Sequence, residues 1–422
     1  MQNDINEDRK DAEMPAAAGE VWRTTYSHTS NWKPASTDYG RVLASNADTL
    51  VLAINLVWKD QDFFHRLERA KQDAIARDVP VPIEIVSADG SQRALMGVHQ
   101  YGKDGYRWII SSPEFHIKIG EWMRPTTRPS AMVEVRSQAL WLQGVIEVLD
   151  RLALLLNGVG AFIDTIKITR IDLCVDLFVS DEIWCANLFL DHSCTRATDT
   201  AIYSKHRKLS GAQIGRGKIL ARIYDKALEI VKSQKVWMYD IWNIHSVPNG
   251  FKVIRIEFQL RREILRELAV DTIWQFISHP QSLWNYCVHK WLKFVDDRAL
   301  DGREQQLFPF WKTVQDGFMH SQNCPPMVRA KMIEVDQRRA AQHIMGHLSS
   351  LIAIKCETTH PSVRLEDNLS LVTSGAKMIG MNDAVLSERV RLKLSKKIKI
   401  TEKFEMAQAI RNSQGLPTAK PK

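Results

Sequence analysis

Residues 170–177 read Arg-Ile-Asp-Leu-Cys-Val-Asp-Leu, and the alternation is strict. Ile171, Leu173, Val175 and Leu177 fall on one side of an extended chain, while Arg170, Asp172, Cys174 and Asp176 fall on the other. One face is core and the other is ionic. The same division recurs in Val253-Ile-Arg-Ile-Glu-Phe-Gln-Leu-Arg261, where Ile254, Ile256, Phe258 and Leu260 oppose Arg255, Glu257, Gln259 and Arg261. A third stretch, Ile219 to Lys226, sets Arg222, Tyr224 and Lys226 opposite Ala221 and Ile223 if it stays extended. Such alternation fits the solvent face of an antiparallel sheet. The mixture on these faces also fits phosphodiester chemistry, because it combines isolated acids, arginines and one phenol.

Working outward, Leu50, Leu52, Ile54 and Leu56 lie on one side of a strand that opens near Ala47, and Asp60 caps a helix running to about Ala76. Short β-prone pieces follow at Ile83 to Val86, Tyr106 to Ile110, His116 to Ile119 and Met132 to Val135, separated by Asp-Gly and Pro-rich turns. Leu142, Val145, Ile146, Leu149 and Leu152 give residues 138–157 the spacing of one amphipathic helix covering the sheet. Beyond residue 270 the texture is helical, with candidates at 271–297, 326–353 and 381–412. No internal repeat is visible. The expected fold is α+β: a largely antiparallel sheet domain covered by helices, followed by a helical C-terminal region. Its expected parts are a flexible arm (1–45), the sheet domain (46–270), a helical domain (271–414) and a frayed basic tail (415–422).

The composition is that of a globular chain, with 422 residues, 45% hydrophobic and 25% charged. No run of about 18 apolar residues occurs, and the polar, acidic start has no signal-peptide core, so a cytoplasmic location away from membranes is expected. The six cysteines are scattered without a C-x-x-C pair, which argues against structural zinc and for reduced thiols. The net charge of +8 is unevenly placed: −4 in residues 1–20, +7 in 196–235 and +7 in 386–422. Two basic blocks on a near-neutral body suit a polyanion partner, although a basic block is also an ordinary solvated face.

Asp172 and Glu257, brought together from different strands, supply oxygen ligands for one divalent cation, Mg or Mn, which polarises a scissile phosphate. Arg222, Lys226 and Arg255 are the cations expected to neutralise the other phosphate oxygens. Tyr224 is the expected nucleophile, with flanking cations favouring phenolate. The stretch from Lys205 to Lys218 reads either as a glycine-containing loop that approaches DNA phosphates or as a hairpin entering the Tyr224 strand. Lys205, Arg207, Lys208, Arg216 and Lys218 are its candidate DNA-binding residues. Trp237, Tyr239 and Trp242 suit stacking on unpaired bases or core packing.

The ordered set Arg170-Ile-Asp-Leu-x-Val-Asp176, Gly215-Arg-Gly-Lys-Ile-Leu-Ala-Arg-Ile-Tyr-Asp-Lys-Ala-Leu-Glu229 and Ile254-Arg-Ile-Glu-Phe-Gln-Leu-Arg-Arg262 resembles the replication-initiation-factor (Rep_trans) family. That family comprises rolling-circle plasmid initiators and related relaxases. The resemblance covers about residues 47 to 270. It implies a strand-specific endonuclease that nicks an origin through a tyrosine, stays joined to the 5′ phosphate and later reseals the ends with divalent metal. Carried over, Tyr224 is the nucleophile, Asp172 and Glu257 are metal-side carboxylates with Asp176 beside them, and Lys226, Glu229 and Arg255 support. The implied partners are origin DNA, single-stranded or supercoiled, and a host helicase or polymerase. No His-hydrophobic-His motif is present, so the metal rests on carboxylates. Tyr203 and Tyr239 are rival nucleophiles. Two readings from other classes stay open: a DNA-binding replication or regulatory protein without nuclease chemistry, and a single-stranded RNA binder.

Overall fold

The computed structural model describes residues 40–296, 306–319, 324–330, 344–350, 352–353 and 365–419. The expected N-terminal arm lies outside the described residues up to 39. The chain divides into two compact units, Met1–Met327 and Val328–Lys422.

The first unit is built on β1 (Arg41–Trp58), a strand longer than expected because the extended chain begins six positions before Ala47 and is buried from Leu43. Then come α1 (Asp62–Arg77), β2 (Val81–Val86), β3 (Arg93–Val98), β4 (Trp108–Ser111), β5 (Phe115–Ile119) and β6 (Ala131–Val135). The helix expected over 138–157 is two helices, α2 (Ser137–Leu142) and α3 (Val145–Gly158). They are separated at Gly144, whose φ of 86° a side-chain-bearing residue rarely adopts. That break has a purpose. Trp141 of α2 packs on the polar face beside Cys174, whereas Leu152, Leu155 and Leu156 of α3 meet Phe115 and Ile117 on the apolar face.

The chain continues through β7 (Ala161–Ser180), α4 (Ala186–Asp191), β8 (Ser193–Thr195), β9 (Thr200–Lys205), β10 (Lys208–Ile214), β11 (Ile219–Asp225), α5 (Lys226–Ser233), α6 (Met238–Trp242) and β12 (Phe251–Arg261). All of these strands except β8 join one eleven-stranded antiparallel sheet, ordered β2-β3-β4-β5-β6-β1-β7-β12-β11-β10-β9. Its two halves share a plan that no sequence repeat announces. Each starts with a long central strand (β1 or β7), crosses to the outer edge, and meanders back until its last strand lies beside that central strand.

Residues 271–319, expected to open a separate helical domain, belong to this first unit. They follow α7 (Arg262–Glu267) as α8 (Ile273–Ser278), α9 (Pro280–Asn285), a π-helical turn (Tyr286–Trp291), β13 (Leu292–Phe294) and α10 (Pro309–Asp316). β13 pairs with β8. The physical reason is the apolar face of β7 and β12, which needs a cover: Trp284 and Trp291 pack edge-on against Phe258 at 5.3 and 6.0 Å. Ile256, Phe258 and Leu260 are fully buried as a result.

The second unit contains α11 (Leu365–Met378) and α12 (Asp383–Ser413), joined by a turn at Gly380. The Asn382 side chain accepts from Val385 N at 2.9 Å and caps α12. Most of the second basic block lies on this helix, exposed. The five cysteines within the described residues are free. Among the described residues no helix is long and apolar enough to cross a membrane.

Candidate active site

Register decides which polar side chains meet. Across β7, β12 and β11, Cys174 pairs with Glu257 and Glu257 with Arg222. In the next row Asp176 pairs with Arg255 and Arg255 with Tyr224. Directly opposed residues point to the same face, so the three ionic stripes read from the sequence form one polar surface. α2, α5 and α6 cover only the end that carries Asp176 and Arg255, through a small core of Trp141, Ile230, Met238, Ile241 and Trp242.

Beneath that cover Arg255 is fully buried. Its Nε reaches Asp176 Oδ1 at 2.6 Å, its Nη2 reaches Asp176 Oδ2 at 2.7 Å, and its Nη1 reaches Asp48 Oδ1 at 2.6 Å. Trp242 Nε1 donates to Asp176 at 2.8 Å, and Trp141 Nε1 and Ser137 Oγ each donate to Asp48 at 2.9 Å. Burial alone would raise the Asp48 pKa, but Arg255, Lys226 and Lys235 hold it well below the usual carboxylate range. This closed network corrects two expectations. Arg255 is spent on two buried carboxylates and is out of reach of a phosphate. Asp176 has both oxygens occupied and stands apart from Asp172.

Toward the uncovered end lies a second cluster. Arg222 Nη1 donates to Glu257 Oε1 at 2.6 Å, its Nη2 donates to Gln259 Oε1 at 2.7 Å, and Nη1 lies 3.6 Å from Asp172 Oδ2. The Tyr224 hydroxyl donates to Glu257 Oε2 at 3.1 Å. Arg170 Nε donates to Asp172 Oδ1 at 2.8 Å, and its Nη2 meets Asp172 Oδ2. Burial, with the Glu257 charge adding, pushes the Asp172 carboxyl up to about 7 despite its arginine partners. Tyr224 is driven well above 10, first by burial and then by Glu257, with Arg255 opposing. The expected cation-favoured phenolate is therefore reversed: the arginines are neutralised by carboxylates, and the phenol is a hydrogen-bond donor to one of them.

Lys226 does not continue the Tyr224 strand. β11 ends because the Asp225 side chain accepts from Leu228 N at 3.0 Å and caps α5, which makes Lys226 a helical residue. Its buried Nζ sits 5.7 Å from the centre of the Tyr224 ring and 2.5 Å from Glu229 Oε2. Lys226 and Glu229 thus fix the ring and its approach.

Asp172 and Glu257 converge on one point, and Arg222 Nη1 occupies it as a cation would. Two carboxylates fit a Mg-like ion, which takes one or two protein carboxylates and completes its shell with water and phosphate oxygens. A transition-metal cage does not fit, since among the described residues no three His, Cys, Asp or Glu side chains are grouped to hold a metal.

The basic stretch from Lys205 to Lys218 is a hairpin strand with a tip at each end. Lys205 pairs with Lys208 across the two-residue turn of His206 (φ 50°) and Arg207 (φ 64°), all exposed. Arg216 and Lys218 lie at the opposite end of β10 and face acids, Arg216 3.9 Å from Asp199 and Lys218 2.5 Å from Glu267. Only the first tip lies on the Tyr224 side. Tyr203 is on β9 and half exposed. Tyr239 packs edge-on against Trp242 at 5.4 Å, and Trp237 is partly buried against the same covering core.

Three contributors escaped the sequence. Asp48 is the extra residue of a β-bulge between Ala47 and Thr49; a lone acid inside Leu43 to Leu56 was its signal. Glu134 and His116 extend the polar face onto the first half, because Val51 pairs with both Glu134 and Arg170, and His116 pairs with Glu134. His116 belongs to a short strand whose alternation was visible, but nothing in sequence placed it near Arg170.

No family model and no curated protein matches the chain. Among solved structures it is similar to one described as the structure of a rolling circle replication initiator protein from Geobacillus stearothermophilus. The two share 15% identity with a TM-score of 0.39, over 65% of this chain and 96% of that one.

Proposed function

We propose that this chain is a DNA-nicking replication initiator or relaxase of a mobile element, with Tyr224 as nucleophile. The observation that carries this reading is the 3.1 Å hydrogen bond from the Tyr224 hydroxyl to Glu257 on the polar face, beside the partly exposed Arg222. Since the phenol is held protonated, attack needs a base, and Glu257 is already in contact with the proton to be removed. Tyr224 Oη forms a bond to phosphorus, its proton passes to Glu257, and the P–O3′ bond breaks, leaving the 5′ phosphate on the tyrosine and a 3′ oxygen that takes a proton from water. Reversal reseals the strand, because a phosphotyrosine ester is attacked as a phosphodiester is. Arg222 sits where it can leave Glu257 for a phosphate oxygen. Asp172 and Glu257 are the residues that would hold a divalent ion, which when bound supplies charge stabilisation to the phosphate.

The test is incubation of a supercoiled plasmid carrying the DNA that flanks the chain's own gene with protein and Mg²⁺, resolving nicked circles and protein–DNA adduct. Wild type is expected to form both. Tyr224→Phe should form no adduct, and Glu257→Gln should slow its formation by about 10²–10⁴-fold. An adduct with the phenylalanine variant removes Tyr224 from the role. Binding without nicking by wild type leaves a DNA-binding protein that lacks nuclease chemistry.

A further inference from the structure

Gly211 pairs with Tyr224 on one side and with Tyr203 on the other, so the two tyrosines occupy one cross-strand row and the same face. Two strand spacings separate them, about 10 Å. No side chain intervenes. A Cβ at Gly211 would come within 2.8 Å of Tyr224 Cβ, so the row tolerates nothing larger between the rings. Tyr203 is 50% exposed although it is the largest side chain of its strand. Three residues before Gly211 the chain leaves the exposed Lys205–Lys208 tip, four consecutive residues of which three are cations and the fourth is His206.

An exposed ring, a bare stretch of backbone and a buried phenol lie in one row about 10 Å long, and a cationic tip flanks it at the end of β9 and β10. Duplex DNA does not offer a free base face to an isolated ring, whereas an unpaired strand does. We propose that Tyr203 stacks on an unpaired DNA base next to the phosphate presented to Tyr224, while Lys205, Arg207 and Lys208 hold the backbone beyond it. This rests on Tyr224 being the reacting group. It makes the substrate a single-stranded segment, and it gives Tyr203 a ring-dependent role that its hydroxyl does not share.

The experiment measures binding of a fluorescein-labelled twelve-nucleotide oligothymidylate, its duplex with oligoadenylate, and the matching oligouridylate, by anisotropy in EDTA so that no cleavage intervenes. Tyr203→Ala is expected to weaken single-strand DNA binding by about 5- to 150-fold, the span that one stacked base commands, and to leave duplex binding within twofold. Tyr203→Thr, which keeps a strand-favouring residue at this edge, should behave like alanine. Tyr203→Phe should bind as wild type and still form adduct. Because binding is read in EDTA without cleavage, failure of the Tyr224 reading leaves the binding result standing. Wild-type affinity in both Tyr203→Ala and Tyr203→Thr overturns the proposal, as does tighter binding of oligouridylate than of oligothymidylate. Loss of adduct in Tyr203→Phe overturns it too, because Tyr203 would then be the nucleophile.

Discussion

Arg255 and Arg222 hold the two ionic clusters of the sheet from neighbouring strands, and what differs between them is the cover. Arg255 lies under α2, α5 and α6 against two carboxylates, which accept from two indole N–H groups and a serine hydroxyl as well. Arg222 meets two carboxylates as well, but its side chain is 34% exposed and one of those carboxylates also takes the Tyr224 hydroxyl. The closed cluster is saturated and can only hold strands together. The open one holds an arginine that reaches solvent, the property on which the proposed phosphate contact depends. Identical residue types, alternating on the same strands, thus make a sealed network at one end and one with a solvent-reaching arginine at the other.

Removing each arginine tests that contrast most severely. Arg255→Met strands Asp176 and Asp48 as buried, uncompensated charges, and should lower stability by about 3–5 kcal/mol. Arg222→Met leaves Asp172 with Arg170 and Glu257 with the Tyr224 hydroxyl, and should cost less, about 1–3 kcal/mol. Urea midpoints followed by tryptophan fluorescence read both. Equal losses would mean that the cover does not distinguish the clusters.

A smaller effect separates them by pH. Asp172 has a folded pKa raised to about 7 from 3.8, so between those values the native state holds a proton that the unfolded chain has released. Its contribution is fully present below about pH 4 and is lost as pH rises toward 7, which on linkage amounts to a few kcal/mol. Asp48 is shifted downward, so its contribution is lost only in stronger acid. Stability of wild type minus that of Asp172→Asn, measured from pH 4 to 8, should fall with pH and level off above about 7. A flat difference would show that Asp172 is charged throughout.

How much of this could be read from sequence follows the same division. The three polar-faced strands were legible because alternation needs only local information, and Asp172, Glu257 and Tyr224 do share a face. Which arginine served which acid was not legible, since it depends on register between strands and on the Gly144 break that turns α2 onto the polar side. Lys226 shares the Tyr224 face only if the chain stays extended, and Asp225 ends the strand there by capping a helix. The twofold plan of the sheet left no trace in sequence because matching strand order constrains only which face is apolar. Residues 271–319 looked like a new domain because helical texture does not reveal what it covers; the uncovered apolar sides of Phe258 and Ile256 required it.

The smallest effect sharpens the comparison furthest, because it asks whether the open cluster accepts an ion while the closed one does not. An ion bound only to the folded protein adds RT ln(1 + [L]/Kd), about 1.4 kcal/mol at ten times Kd. Mg²⁺ should therefore raise the thermal midpoint of wild type by a few degrees. The rise should be larger at pH 8 than at pH 6, since Asp172 must lose its proton to bind. Asp172→Asn and Glu257→Gln should abolish that rise. Ser137→Ala, which removes one donor from the Asp48 side of the closed cluster, should lower the starting midpoint yet keep the Mg²⁺ increment unchanged. The increment, unlike nicking, needs neither DNA nor Tyr224, so it reports on the carboxylate pair by itself. A shift that survives Asp172→Asn would place the ion elsewhere, and the open cluster would then be an ion pair with no more chemistry in it than its buried neighbour.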